Sequence, residues 1–427
     1  MATKQKAKWY GPKQIGMIIY TGILMLISAC LVGGATNTVL PAIAEAHGWN
    51  AQYLNLWSGI SCILDGAGIL IWARLSRKRP KVMAAIALFV TAICITIFGF
   101  TNNMTVLIIM MLIMGLASAA YSSTAAMTLT ANWWPTCKGI VLGWSTMGIV
   151  LMSVVYAPYI PAAYAKFGIG GTNLGLGIIV LIVGIIGLIF VKDTPEAAGT
   201  TPDGLTGVDL AQAKEITKAL SEYKSPYTFK KMISMPNNWV ISFAVGLPIL
   251  VAMTYISTTI PALLSYGYSY TQAAAVFSVG GIIALVGSWA IGLLDQKAGT
   301  KKAQLLWAVL VLLAIIFCFF MQKSFVCAWI SGMLLFAANG AGRNIIPSYV
   351  ATVYGRWDYP AAYQMIGTIG LVCCGAGVMI TSFFPTYTSM YIFDVIVLVI
   401  AIILGFIAKS NMIGKKDDAE IGNKVEA

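Results

Sequence analysis

The chain has 427 residues, of which 59% are hydrophobic and 10% charged, and its mean hydropathy is +0.83. A soluble domain is roughly 45–50% apolar and about 25% charged, so there is too little polar material for a water-facing exterior, and a soluble globular fold is excluded. The formal charge of +12 would suit nucleic acid, but its distribution along the chain excludes that partner.

Read in chain order, Met1 to Lys13 is a short basic tail followed by a long apolar run, with no cleavage signal ending a short apolar core, which predicts a cytoplasmic tail. Apolar stretches follow near 15–43, 52–73, 82–101, 105–131, 139–163 and 174–191, then 237–264, 270–293, 303–321, 325–352, 361–384 and 388–408. A membrane-crossing helix needs about 20 apolar residues. The expected fold is therefore an all-α membrane protein, twelve transmembrane helices as two pseudo-symmetric six-helix bundles. The expected divisions are residues 1–192, the first bundle; 193–236, a polar central loop; 237–409, the second bundle; and 410–427, a tail. Within the central loop, the stretch from Asp209 to Glu222 lacks Gly and Pro and predicts a short surface helix.

Lys and Arg collect on the side of the membrane that remains cytoplasmic. Apart from Lys166 and Lys323 in outer loops and Arg343 inside a span, every basic residue falls in the segments on one face, together with both termini. That predicts a multi-pass cell-membrane protein with cytoplasmic termini, its positive charge a topology signal. Seven of the eight cysteines lie inside apolar runs and read as small core residues. No metal-ligand spacing occurs, and neither a metal nor a cofactor is expected.

The two halves repeat. Leu40-Pro41-Ala42 with Gly48 to Gln52 returns as Ile260-Pro261-Ala262 with Gly267 to Gln272, at an offset of 220 residues. The basic turn Arg77-Lys78-Arg79 returns near Lys301-Lys302. Repetition of a six-helix unit is how many carriers build a site between two rocking halves. On this pattern, and on Asp295 to Lys302 after span 8, the whole chain resembles a major facilitator superfamily carrier. In that family an Asp-Arg-x-Gly-Arg-Lys turn occupies this place; the first-half copy keeps the bases but lacks the acid. The resemblance implies a cytoplasmic gate built from Arg77, Arg79, Asp295 and Lys301. A narrower likeness lies in Asn132-Trp133-Trp134-Pro135-Thr136-Cys137-Lys138-Gly139, which is similar to the turn between spans 4 and 5 of the oxalate/formate antiporter and monocarboxylate transporter group. It implies an organic anion as substrate. The oxalate carriers of that group place basic residues in spans 8 and 11, whereas Gly280 to Leu294 and Ala361 to Phe384 contain none, so a single carboxylate is expected rather than two.

Ionisable side chains are costly in hydrocarbon, roughly 2.5–3.5 kcal/mol on insertion scales, so the few present are informative. Arg343 lies in span 10 among Gly340, Gly342, Asn339 and Asn344. Its planar fork of donors matches a carboxylate, though an Arg paired with a buried acid for structure would look the same. Asp65 in span 2 is a proton carrier or the partner of that Arg. Asp394 reads as a solvated or structural acid near the outer interface. Spans 1, 4, 7 and 10 line the cavity in the superfamily, which implicates Asn37, Ser118, Tyr121, Ser122, Tyr255 and Ser257, with Trp144 as an apolar wall. The expected activity is secondary active transport of a small organic anion by a monomer, coupled to protons or to a counter-anion. The alternatives are a carrier of an organic cation or zwitterion with Asp65 as counter-charge, and a non-transporting membrane sensor. No nucleotide loop, metal cluster or paired acids point to an enzyme.

Overall fold

The computed structural model describes residues 10–32, 36–76, 79–134, 138–204 and 223–414. No strand occurs among the described residues. Lipid offers no water to an open N–H or C=O, and a helix satisfies both within itself. The expected surface helix of the central loop lies outside the described residues.

The order is α1 (Pro12–Leu31), α2 (Thr36–His47), α3 (Ala51–Ser76) and α4 (Pro80–Phe100). Next comes α5 (Met104–Ser118), continued by a π-helical stretch (Ala119–Ala126) into α6 (Met127–Trp133). Then α7 (Lys138–Leu151) leads through a second π-helical stretch (Met152–Tyr156) into α8 (Ala157–Phe190). After the central stretch come α9 (Phe229–Ser234), α10 (Pro236–Ser265), α11 (Tyr270–Ala298), α12 (Thr300–Cys318), α13 (Phe325–Ile380) and α14 (Tyr387–Ile407). Among the described residues eleven helical stretches are long and apolar enough to cross a membrane, and Val141–Tyr156 is a shorter apolar helix.

Two of these helices are broken by glycine. Gly168 in α8 has φ 71° and Gly355 in α13 has φ 65°, a left-handed conformation that glycine alone adopts without steric cost. The Gly355 break separates an apolar stretch Phe325–Gly355 from the next, Ala361–Ile380, where the sequence expects two spans.

The bilayer-facing side is visible in the periodicity. Along α14, Ile392, Ile396, Val399, Ile403 and Phe406 are exposed, while Met390, Tyr391, Asp394, Val397, Leu398, Ala401 and Gly405 are buried. Between lipid-surrounded helices burial of apolar area supplies little drive, so close approach of backbones through small residues does the work. The two halves of the chain meet along α3 with α13 and along α7 with α11. A Cβ at Gly66 would stand 2.8 Å from the Val372 nitrogen, and one at Gly375 would stand 2.5 Å from the Ile63 nitrogen. Gln364 donates to the Leu70 carbonyl at 3.1 Å further along the same pair.

Candidate functional site

The stretch of α13 around Arg343 is packed by glycine. A Cβ on Gly340 would collide with the Ala284 carbonyl of α11, and one on Gly342 would stand 3.0 Å from the Trp307 ring of α12. The room left by these glycines is taken by neighbouring helices. Asn344, 3% exposed, is held where three helices from both halves meet. Its Nδ2 donates to Ser288 Oγ of α11 at 3.2 Å, and its Oδ1 accepts a short hydrogen bond from Thr146 of α7. Ser288 in turn donates to the Gly143 carbonyl of α7 at 3.1 Å. A polar knot thus joins the halves one residue from Arg343. The side chains of Arg343 and Asn37 lie outside the described residues; Asn339 is half-buried.

On the other half, the π-helical stretch Ala119–Ala126 carries Tyr121, Ser122, Ser123 and Thr124, all buried. Adding a residue to one turn rotates the rest of the helix about its axis, and such bulges occur frequently at functional sites. Here Ser123 donates to Asp65 Oδ1 of α3 at 3.2 Å, with both groups buried. Ser118 points to α1 instead, sharing a 2.7 Å hydrogen bond with Ser28. Tyr121 is fully enclosed and lies close to Asp65. The sequence pattern sees the Ser118–Tyr121–Ser122 stripe of a regular helix but misses Ser123, because the π turn has no local sequence signature.

In α10, Tyr255 is 1% exposed and packs edge-on to Phe336 of α13, while Ser257 is half-buried. Trp144 is 42% exposed on α7. Asp394 is not solvated: it is fully buried, and the Thr254 hydroxyl of α10 stands 2.9 Å from its Oδ2. The sequence alone misleads because Asp394 is close to the start of its span in chain position, while its face of α14 turns inward.

At the basic end of the helices the two halves solve one problem in the same way. Lys81 reaches the carbonyls of Leu188 and Val191 at the end of α8, at 3.5 and 3.4 Å. Lys301, 220 positions on, donates to Phe406 and Ala408 at the end of α14, at 2.8 and 2.9 Å. Those terminal carbonyls have no partner in their own helix. Asp295 accepts from Thr300 Oγ1 at 2.5 Å and takes a short hydrogen bond from Ser348. The first half, without that acid, sets Thr128 against Ser76 at 3.5 Å, and Thr128 precedes Ser348 by the same 220 residues. The acid for its base cluster comes from Asp193, beyond α8. Asp193 Oδ1 accepts the Lys81 backbone N–H at 2.8 Å. Burial pushes the Asp193 carboxyl above its ordinary range, and the Lys81 hydrogen bond with the charges of Lys81 and Arg79 pulls it part of the way back. Arg79 is exposed, and Arg77 lies outside the described residues.

Against known proteins, the model of the Major Facilitator Superfamily matches residues 22–362. The chain belongs to that superfamily. No curated protein matches it significantly. With its many apolar helices, this superfamily member is a multi-pass membrane protein, and the family's function is membrane transport. The matched region spans both copies of the basic turn and Arg343, while α14 with Asp394 falls beyond it.

The superfamily frame also gives the Asn132-Trp133 turn a physical role. Asn132 donates to the Asp193 carbonyl at 3.3 Å and Trp133 Nε1 donates to the Lys192 carbonyl at 3.1 Å. The turn therefore pins the end of α8 beside the Lys81–Asp193 contact. Pro135 to Cys137 lie outside the described residues. Among the described residues no group of three or more His, Cys, Asp or Glu side chains stands together to hold a metal. A groove of about 370 Å³ between α12 and α14 is lined by Ile316, Phe319, Phe320, Ile392, Val395 and Ile396. It has no polar group to orient a solute.

Proposed function

We propose that this carrier moves a small organic anion with a single carboxylate, by secondary active transport. Two six-helix halves, twelve spans in all, rock about the α3–α13 and α7–α11 seams, opening to each side of the membrane in turn, with both termini cytoplasmic. Arg343 receives the carboxylate, with hydroxyl and amide groups of spans 1, 4, 7 and 10 around it, and Asp65 carries a coupling proton unless a counter-anion is exchanged instead. The observation that carries this reading is the position of Arg343. It is a basic residue inside the apolar stretch Phe325–Gly355, three residues after Gly340, which packs on α11, and one before Asn344, which bonds to α7 of the first half and α11 of the second.

A second reading has an observation of its own. Asp65 is 5% exposed and meets the π turn of span 4 through Ser123, which suits a counter-charge for an organic cation or zwitterion. The two separate by mutation. For an anion site, Arg343→Gln abolishes transport while the protein still purifies as a single species, and the double variant with Asp65→Asn stays inactive. If Arg343 only neutralises Asp65, the single variant strands a buried acid, which is strongly destabilising, and the double variant regains stability and transport. Uptake and thermal stability measured on the three variants decide between them.

A further inference from the structure

Asp394 takes no part in the proposed substrate site. It is fully buried on α14, packed against α10 and α12. The groups brought to it are Thr254 of α10 and Cys318 of α12, with Tyr391 one turn back on its own helix; Tyr391 in turn is near Tyr255 and Tyr266 of α10. None is a cation, and among the described residues Asp394 forms no ion pair; its Oδ1 makes no hydrogen bond at all.

The proton count at Thr254 is the second observation. Its Oγ1 stands 2.7 Å from the Val251 carbonyl and 2.9 Å from Asp394 Oδ2. A hydroxyl has one proton to donate, while a carbonyl and a carboxylate both only accept. Were Asp394 an anion, it would share that one proton with Val251 and leave Oδ1 bare. A buried charge in that condition is among the most expensive arrangements a protein can hold. If Asp394 is a carboxylic acid, every proton has a place: Thr254 donates to Val251, and the acid donates from Oδ2 to Thr254. Oδ1 is then a neutral carbonyl oxygen, far cheaper to leave unpaired.

We propose that Asp394 is a proton-binding site of this carrier, separate from Asp65, in which a carboxylic acid donates to Thr254 and joins α14 to α10. The proton sits within the second half of the chain rather than at the seam between halves. It rests on local geometry alone and is independent of the substrate and of Arg343.

Infrared spectroscopy reads it directly, since a protonated carboxyl has a C=O stretch that a carboxylate lacks. On purified full-length protein at neutral pH, the difference between wild type and Asp394→Asn is expected to contain one protonated-carboxyl band that shifts in deuterated buffer. A difference spectrum holding only carboxylate bands overturns the proposal. Asn can donate to Thr254 in the same place, so this variant is expected to fold and to unfold at the wild-type temperature. Should it fail to fold, Thr254→Val provides the second measurement. Removing the acceptor of the acid's O–H moves the C=O band to higher wavenumber, and an unchanged carboxyl region overturns the assignment.

Discussion

At the scale of single residues, three buried acids on the long apolar helices stand against hydroxyls: Asp65 against Ser123, Asp295 against Thr300 and Ser348, Asp394 against Thr254. A hydroxyl can give or take a hydrogen bond, so it can stay paired with a carboxyl in either protonation state. On the proposed coupling role, Asp65→Asn keeps substrate exchange and loses accumulation driven by a pH gradient; unchanged accumulation in proteoliposomes would remove Asp65 from coupling. Arg343→Lys keeps the charge but not the fork. With hydrogen bonds to charged groups worth about 1.5–3 kcal/mol, substrate affinity is expected to fall about tenfold or more, measured by binding to purified protein. Asp193 gives a pH prediction with a defined sign. Its carboxyl is raised by burial, so the folded chain binds that proton at higher pH than the unfolded one. Its contribution to stability is then fully present at low pH and is lost as pH rises through its raised titration. Asp193→Asn, which still accepts from Lys81 N–H, should flatten that part of the stability–pH curve, read by thermal unfolding in detergent. What the sequence carries at this scale is the rarity of Arg343 and Asp65 in apolar runs. The direction in which a side chain points is not carried: the inward face of Asp394 and the pairing of Asp193 with a turn more than a hundred residues away depend on packing between helices distant in sequence.

Among the helices, glycine decides how closely the rods approach. A Cβ at Gly148 of α7 would run into the Gly22 carbonyl of α1, whereas one at Gly175 of α8 would meet nothing within 4 Å. Gly148→Ala is therefore expected to cost about 1–3 kcal/mol as overpacking, and Gly175→Ala close to nothing; thermal melts of the two variants side by side make the comparison. The Thr146–Asn344–Ser288 knot belongs to this scale too, because each member comes from a different helix. Asn344, expected from sequence as a substrate contact, makes its described hydrogen bonds to α7 and α11. The apolar runs make the helices legible in advance, but the sequence sets Lys301 and Lys302 against the Arg77–Arg79 turn, whereas in the structure Lys81 does for the end of α8 what Lys301 does for the end of α14. The π turns do not announce themselves, because a single extra residue in an apolar helix changes neither composition nor apparent period, yet one of them brings Ser123 to Asp65.

For the whole molecule, charge asymmetry implies one orientation. Cysteines placed at Lys166 or Lys323, both exposed, should react with an impermeant thiol reagent in intact cells, and a cysteine at the exposed Lys302 should not; labelling at Lys302 from outside would reverse the topology. Family membership makes the chain a membrane transporter, and the anion reading rests on Arg343. The most direct measurement is uptake by proteoliposomes containing the purified chain, screened with labelled monocarboxylates against labelled organic amines, with and without Arg343→Gln. The expected result is saturable uptake of a monocarboxylate that competing carboxylates inhibit and that Arg343→Gln abolishes. Saturable uptake of an amine that survives Arg343→Gln would contradict it.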